Sequence, residues 1–167
     1  MTTPLVLIVD DNPENLTVIG ELLQPGHGVR VANSGPRALA LARVEPQPDL
    51  ILLDVMMPGM DGYEVLAQLR AHEATARIPV IFLTALDDAA DEERGLMLGA
   101  VDYITKPVSA PIVKARVKTH LSLVSMHALQ ESRRQVIERL GRAAEYKDNE
   151  TGLHVIRMSR YAGILAR

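Results

Sequence analysis

Acidic, hydroxyl and amino side chains follow apolar stretches of this chain, each where the stretch gives way to a polar loop. Asp10 and Asp11 come after the first stretch, Asp54 ends the third, Thr84 ends the fourth and Lys106 follows the fifth. Carboxylates that are brought together repel one another, and a divalent cation relieves this repulsion. Mg²⁺ suits such a set, because it binds through one or two carboxylates together with water and phosphate oxygens. The residue types therefore predict a magnesium site beside a threonine and a lysine.

This combination of side chains is suited to phosphoryl transfer. A carboxylate such as Asp54 can attack phosphorus to form an acyl phosphate, while the metal and Lys106 neutralise charge on the transferring group. The hydroxyl of Thr84 can donate a hydrogen bond to a phosphoryl oxygen. Met56, two residues after Asp54, is predicted to offer its backbone carbonyl to Mg²⁺. The apolar side chains of Met56 and of Leu86, two residues after Thr84, cannot align a hydrolytic water, so we expect the acyl phosphate to be long-lived.

Five apolar runs alternate with stretches of helical spacing, which is typical of βα units around a parallel sheet. The runs without strict alternation indicate strands that helices cover on both faces. We predict a flavodoxin-like (βα)5 fold of the α/β class, a doubly wound parallel sheet of strand order 2-1-3-4-5 with a C-terminal helical extension. The carboxyl ends of its strands meet at one edge, which would gather the polar residues. The predicted strands are Leu5–Val9, Val29–Ala32, Leu50–Leu53, Val80–Leu83 and Asp102–Ile104.

Beyond about residue 121 the chain shows no further strand pattern and is compatible with helix. Leu129, Val136 and Ala143 recur every seven residues, with Leu140 at the second seam position. Two alternatives stay open: a helix packed on its own domain, or a coiled coil that joins two copies into a homodimer.

The net charge, the cysteine content and the length of the apolar stretches limit the kinds of partner that the chain could bind. The net charge of -3 and the isoelectric point near 5.9 give no broad attraction to nucleic acid, which requires a clustered basic surface. The chain has no cysteine, which excludes disulfides and thiolate metal sites. No apolar stretch approaches the ~20 residues that cross a bilayer. We expect a cytoplasmic protein with neither a nucleic-acid nor a membrane partner.

Four ordered motifs resemble the receiver domain of two-component response regulators. They are LIVDDN at 7–12, LLDVMMPGMDGYEV at 52–65, FLTA at 82–85 and DYITKP at 102–107. The resemblance implies that Asp54 accepts a phosphoryl group from a sensor histidine kinase and that Mg²⁺ is the cofactor. It also assigns the remaining roles: Asp10 and Asp11 serve the metal, Thr84 and Lys106 bind the phosphoryl group, Tyr103 turns inward on activation, and a cis bond precedes Pro107.

The last residues, 142–166, resemble the opening of the HD-GYP family of metal-dependent cyclic di-GMP phosphodiesterases. The most specific element is ETGLH at 150–154, in which Glu150 and His154 would be metal ligands. The chain contains neither a His-Asp dipeptide nor a Gly-Tyr-Pro tripeptide, so we expect no phosphodiesterase activity from it. We expect a receiver at 1–123, a linker helix at 124–148 and the beginning of an output domain at 149–167 of a longer regulator.

Two other classes of function compete with this interpretation. A Mg²⁺-dependent phosphatase of the haloacid-dehalogenase type also forms an aspartyl phosphate, but it carries Asp-x-Asp after its first strand, where this chain has Asp10-Asp11-Asn12. A non-catalytic dimerisation module would need only the C-terminal helix, and replacement of Asp54 would not affect it.

Overall fold

The computed structural model describes residues 3–85, 95–145, 157–159 and 161. Five strands form one parallel sheet in the order β2-β1-β3-β4-β5, which confirms the predicted flavodoxin-like topology. Each observed strand matches a predicted one to within one residue at either end. The strands are β1 (Leu5–Val9), β2 (Gly28–Ala32), β3 (Leu50–Asp54), β4 (Val80–Thr84) and β5 (Asp102–Thr105).

Four helices lie within the described residues: α1 (Pro13–Leu23), α2 (Gly35–Ala42), α3 (Gly62–Ala71) and α4 (Ala110–Glu145). The Asn12 side chain caps α1 by accepting a hydrogen bond from the backbone of Glu14, and α3 begins with a capping box between Asp61 and Glu64. Such caps satisfy backbone donors that the first helical turn leaves unpaired. Residues 95–97 are also helical, and residues 86–94 before them lie outside the described ranges.

The core lies on both faces of the sheet. On one face, strand residues such as Leu7 and Leu53 pack with α2 and α3 residues in one buried cluster. On the other face, Ile8 and Leu52 join residues of α1 and the first part of α4. A strand that is packed on both faces has apolar residues at successive positions, because its side chains enter the two cores alternately. β3 is buried along its whole length and therefore holds its last residue, Asp54, on a rigid element.

The chain divides into two compact units, Met1–Leu121 and Ser122–Arg167. In the first unit, Val113, Val117 and Leu121 of α4 are buried in the core. In the second unit, the described apolar residues of α4 include exposed ones, Leu129, Val136 and Leu140 among them. No helix in the described ranges combines the length and the apolar character needed to cross a membrane.

Candidate functional site

Three aspartates gather at the carboxyl ends of the neighbouring strands β1 and β3. Asp10 directly follows β1 and is fully buried, whereas Asp54 ends β3 with 3% of its surface exposed. Asp11, beside Asp10, is exposed. One carboxylate oxygen from each lies within 4.8 Å of the other two. The structure thus brings together three residues that the sequence separates, because parallel strands end at a common edge.

The carboxylate of Asp10 is held by the beginning of α1. Its Oδ1 atom accepts a hydrogen bond from the backbone N of Asn12 at 2.9 Å. The side-chain Nδ2 of Asn15 lies 3.0 Å from both carboxylate oxygens. These donors satisfy the hydrogen-bonding capacity of a fully buried carboxylate and fix its orientation. The sequence did not predict the contact of Asn15, because no sequence pattern marks an asparagine in the first turns of a helix as the partner of a buried carboxylate.

Lys106 joins the two buried carboxylates. Its Nζ atom lies 2.8 Å from Oδ2 of Asp10 and 2.8 Å from Oδ2 of Asp54. Burial alone would lower the pKa of Lys106, but hydrogen bonds and opposite charges from both aspartates outweigh it and raise the pKa. The lysine is therefore held in its charged form. The backbone N of Lys106 donates to the carbonyl of Thr84 at 2.7 Å, and the peptide bond to Pro107 is cis.

Burial and charge act on Asp54 in opposite directions. Burial raises the pKa of Asp54, and the nearby charge of Asp10 adds to this effect. The hydrogen bond and charge of Lys106 lower it, as does the backbone N of Met56, which donates to Oδ1 at 3.3 Å. The net shift is upward, so ionised Asp54 is costly in this setting. A further positive charge at the cluster would stabilise the ionised form.

A close backbone approach shapes the loop after Asp54. The backbone N of Gly62 donates to the carbonyl of Val55 at 2.9 Å, which folds the loop back onto the end of β3. A Cβ atom at Gly62 would lie 2.8 Å from the Cα atom of Val55, a separation that real Cβ atoms essentially never show. Only glycine fits here. Its place in the motif at 52–65 thus reflects packing beneath the site.

Two more of the predicted site residues, Thr84 and Tyr103, lie on the neighbouring strands β4 and β5. Thr84 ends β4, is buried, and is paired in register with Thr105 of β5. Tyr103 of β5 packs half-buried against the core. The side chain of Met56 is exposed, and the role of its carbonyl stays a prediction. Glu150 and His154 lie outside the described residues.

The donor set fits a hard divalent cation. Asp10, Asp11 and Asp54 offer oxygen atoms alone, which is the chemistry that Mg²⁺ prefers. They lie at the ends of β1 and β3, and the exposed Asp11 leaves one side of the cluster open to water. Mg²⁺ retains several waters when it binds to proteins, so a partly open cluster of this kind could hold it.

The fold and this cluster define a class of protein. Residues 6–118 match the family model described as the response regulator receiver domain, and the chain belongs to this family. A putative response regulator from Chloroflexus aurantiacus is 34% identical, with a TM-score of 0.68, and the match covers 72% of this chain and 99% of that one.

Two curated relatives match almost the whole chain. A probable cyclic di-GMP phosphodiesterase from Vibrio cholerae is 39% identical over 97% of this chain and 41% of its own length. The cyclic di-GMP phosphodiesterase response regulator RpfG from Xanthomonas campestris is 31% identical over 96% of this chain and 48% of its own length. The chain thus spans less than half the length of these relatives. Both matches extend beyond the receiver region.

Proposed function

We propose that this chain is a phospho-accepting switch in which Asp54 receives a phosphoryl group from a sensor histidine kinase in a Mg²⁺-dependent reaction. The observation that carries the proposal is the position of Lys106, whose Nζ atom lies 2.8 Å from carboxylate oxygens of both Asp54 and Asp10. A carboxylate nucleophile, a fixed cation and two further metal-binding carboxylates are the parts that aspartyl-phosphate formation requires.

The reaction makes one bond and breaks one. A carboxylate oxygen of Asp54 attacks phosphorus, and the bond from phosphorus to the donor breaks, with its electron pair leaving on the donor atom. Lys106 stays charged and stabilises the negative charge spread over the phosphoryl oxygens. Asp10, Asp11 and Asp54 would hold Mg²⁺, which when bound would supply further positive charge to those oxygens. The hydroxyl of Thr84 then donates to a phosphoryl oxygen, a contact that exists only in the phosphorylated form.

Such a contact shifts the balance between two arrangements of the domain, because it stabilises one of them. Tyr103 turns inward as Thr84 moves towards the phosphoryl group. The change reaches α4, which packs beside β5 in the core through Val113 and Val117 and continues to Glu145. The full-length protein would carry a cyclic di-GMP phosphodiesterase output domain after this helix, as the names of the two long curated relatives suggest.

A second copy of the chain is the proposed partner of the later part of α4. Leu129 and Val136 are exposed and lie seven residues apart, and Leu140, at the second seam position, is 64% exposed. A seven-residue repeat keeps one stripe of a helix facing a partner helix that has the same repeat. Two copies satisfy this requirement with identical surfaces, which favours a homodimer.

Mass spectrometry of the intact chain tests the phosphoryl-acceptor proposal. We expect the wild type to gain one phosphoryl group when it is incubated with Mg²⁺ and acetyl phosphate. The gain should disappear in Asp54→Asn and when EDTA removes the metal. Glu73→Gln removes one exposed carboxylate elsewhere and should leave the gain unchanged. Phosphorylation of Asp54→Asn at the wild-type rate would contradict the proposal, and continuous turnover of p-nitrophenyl phosphate would support the phosphatase alternative instead.

A further inference from the structure

A cluster of polar side chains connects β5 to α4 within the first unit. The Oδ1 atom of Asp102 pairs with the guanidinium of Arg116, and its Oδ2 atom lies 3.0 Å from Nε2 of His120. Oδ1 also accepts a hydrogen bond from the backbone N of Tyr103 at 2.9 Å. Arg116 and His120 are four residues apart on α4, so they lie on the same face of the helix. One carboxylate of the sheet is therefore held by two successive turns of the helix.

The same arginine covers an aromatic ring. The guanidinium carbon of Arg116 lies 5.8 Å from the centroid of the Tyr103 ring, which is within the range of a cation–π interaction. Asp102 and Tyr103 are neighbours on β5, so the arginine contacts two successive residues of this strand. The Tyr103 ring itself is half-buried against the core.

We propose that Arg116, positioned by Asp102, clamps Tyr103 in this half-buried place and thereby opposes the phosphorylated arrangement. The inference rests on the proposed function, in which the ring turns inward after phosphorylation. A ring that turns inward leaves the guanidinium, so the contact between them belongs to one arrangement only. An interaction of this kind shifts the equilibrium towards the arrangement that contains it.

Asp102 and His120 are positioning residues in this account. Burial alone would raise the pKa of Asp102, but hydrogen bonds from Arg116 and His120 outweigh it and lower the pKa. The carboxylate therefore stays ionised and fixes the guanidinium over the ring. Because Arg116 and His120 are on α4, the clamp also ties the place of Tyr103 to the helix that leads towards the output domain.

Beryllofluoride, a stable analogue of the phosphoryl group, tests the clamp. We expect Arg116→Gln to bind beryllofluoride about two- to fivefold more tightly than the wild type, which is the effect of losing one partly exposed cation–π contact. Lys114→Gln is the matched control, because it removes the same charge from an exposed place on the same helix. Affinity is measured by NMR titration at a fixed concentration of Mg²⁺.

A double-mutant cycle separates the clamp from a general structural role. In a Tyr103→Leu background the clamp has no ring to hold, so Arg116→Gln should no longer change the affinity. Asp102→Asn, which releases the arginine, should change the affinity in the same direction as Arg116→Gln, and it provides the test should Arg116→Gln fail to fold. Arg116→Lys keeps the charge and should have a smaller effect.

Two outcomes would overturn the inference. Equal or weaker binding of beryllofluoride by Arg116→Gln and Asp102→Asn, relative to Lys114→Gln, would overturn the clamp while a phosphorylated wild type still supports the proposed function. A wild type that neither binds beryllofluoride nor gains a phosphoryl group from acetyl phosphate would overturn both.

Discussion

The Nζ atom of Lys106 lies 2.8 Å from a carboxylate oxygen of Asp54, although Asp54 ends β3 and Lys106 follows β5. The same atom lies 2.8 Å from Asp10, so a single ammonium group compensates two buried carboxylates. If the lysine is removed, the two carboxylates stay buried without a compensating positive charge, which destabilises the fold.

We therefore expect Lys106→Met to lower the free energy of unfolding by about 3 kcal/mol, at the lower end of the range for breaking a buried ion pair, because the lysine is partly exposed. Urea unfolding without Mg²⁺ measures the change. Addition of Mg²⁺ should restore part of the loss by supplying positive charge to the same carboxylates. Lys114→Met, on an exposed part of α4, is the control. A loss no larger than that of the control would contradict the role assigned to Lys106.

The ion pairs of Asp102 predict a dependence of stability on pH. The pKa of this carboxyl lies below its ordinary value of 3.8, because hydrogen bonds from Arg116 and His120 outweigh the effect of burial. An acid with a lowered folded-state pKa stabilises the fold above its unfolded-state pKa, and the stabilisation is lost as the pH falls through the folded-state value.

Asp102→Asn should accordingly lower the free energy of unfolding by roughly 1.5 to 3 kcal/mol near neutral pH, as for hydrogen bonds to a charged group. The difference from the wild type should shrink as the pH falls below about 4. Urea unfolding over a series of pH values provides the measurement. A difference that grows in acid would show that the carboxyl is not stabilised in its ionised form.

The exposed side chain of Met56 predicts slow loss of the phosphoryl group. Met56 is two residues after Asp54 and is exposed, and its side chain has no polar atom that could align an attacking water. Met56→Asn should therefore lose the phosphoryl group faster than the wild type, because an amide can position that water. Release of inorganic phosphate after removal of the donor gives the rate. Met97→Asn controls for the change in polarity at an exposed methionine. Equal or slower loss in Met56→Asn would refute the prediction.

The seven-residue repeat of α4 predicts how single changes affect self-association. Val136 is an exposed apolar seam residue, and Val136→Asp should weaken the dimer, since it places a charge between the helices. Gln135→Asp introduces the same charge at the neighbouring exposed position and should have little effect. Arg133 occupies the seam position seven residues before Leu140, so Arg133→Leu should strengthen the dimer. Sedimentation equilibrium provides the dissociation constants. Identical constants for Val136→Asp and Gln135→Asp would exclude this seam as the dimer interface.

Much of the fold could be predicted because burial on both faces of a parallel sheet leaves uninterrupted apolar runs in the sequence. Each run ends where its strand reaches the carboxyl edge of the sheet. The sequence therefore predicts that Asp10 and Asp54 lie close together at this edge. Their exact partners were harder to foresee. Asn15 contacts Asp10 through the turn of α1, a geometry that is not encoded by residue type.

The cluster around Asp102 lay beyond sequence reasoning for a related reason. No ligand spacing surrounds His120 in the sequence, so its pairing with a carboxylate on another element could not be expected from the sequence. Contacts between a strand and a helix that follow it depend on how the two pack, and neither propensity nor periodicity carries that information.

Chemical trapping of the acyl phosphate tests the central claim most directly. Borohydride reduces an aspartyl phosphate to homoserine, so reduction after incubation with acetyl phosphate and Mg²⁺ marks the residue that carried the phosphoryl group. Peptide mass spectrometry should find homoserine in place of Asp54 and unmodified aspartate at Asp10 and Asp11. Homoserine at either of those two positions, or at none of the three, would contradict the assignment of Asp54 as the acceptor.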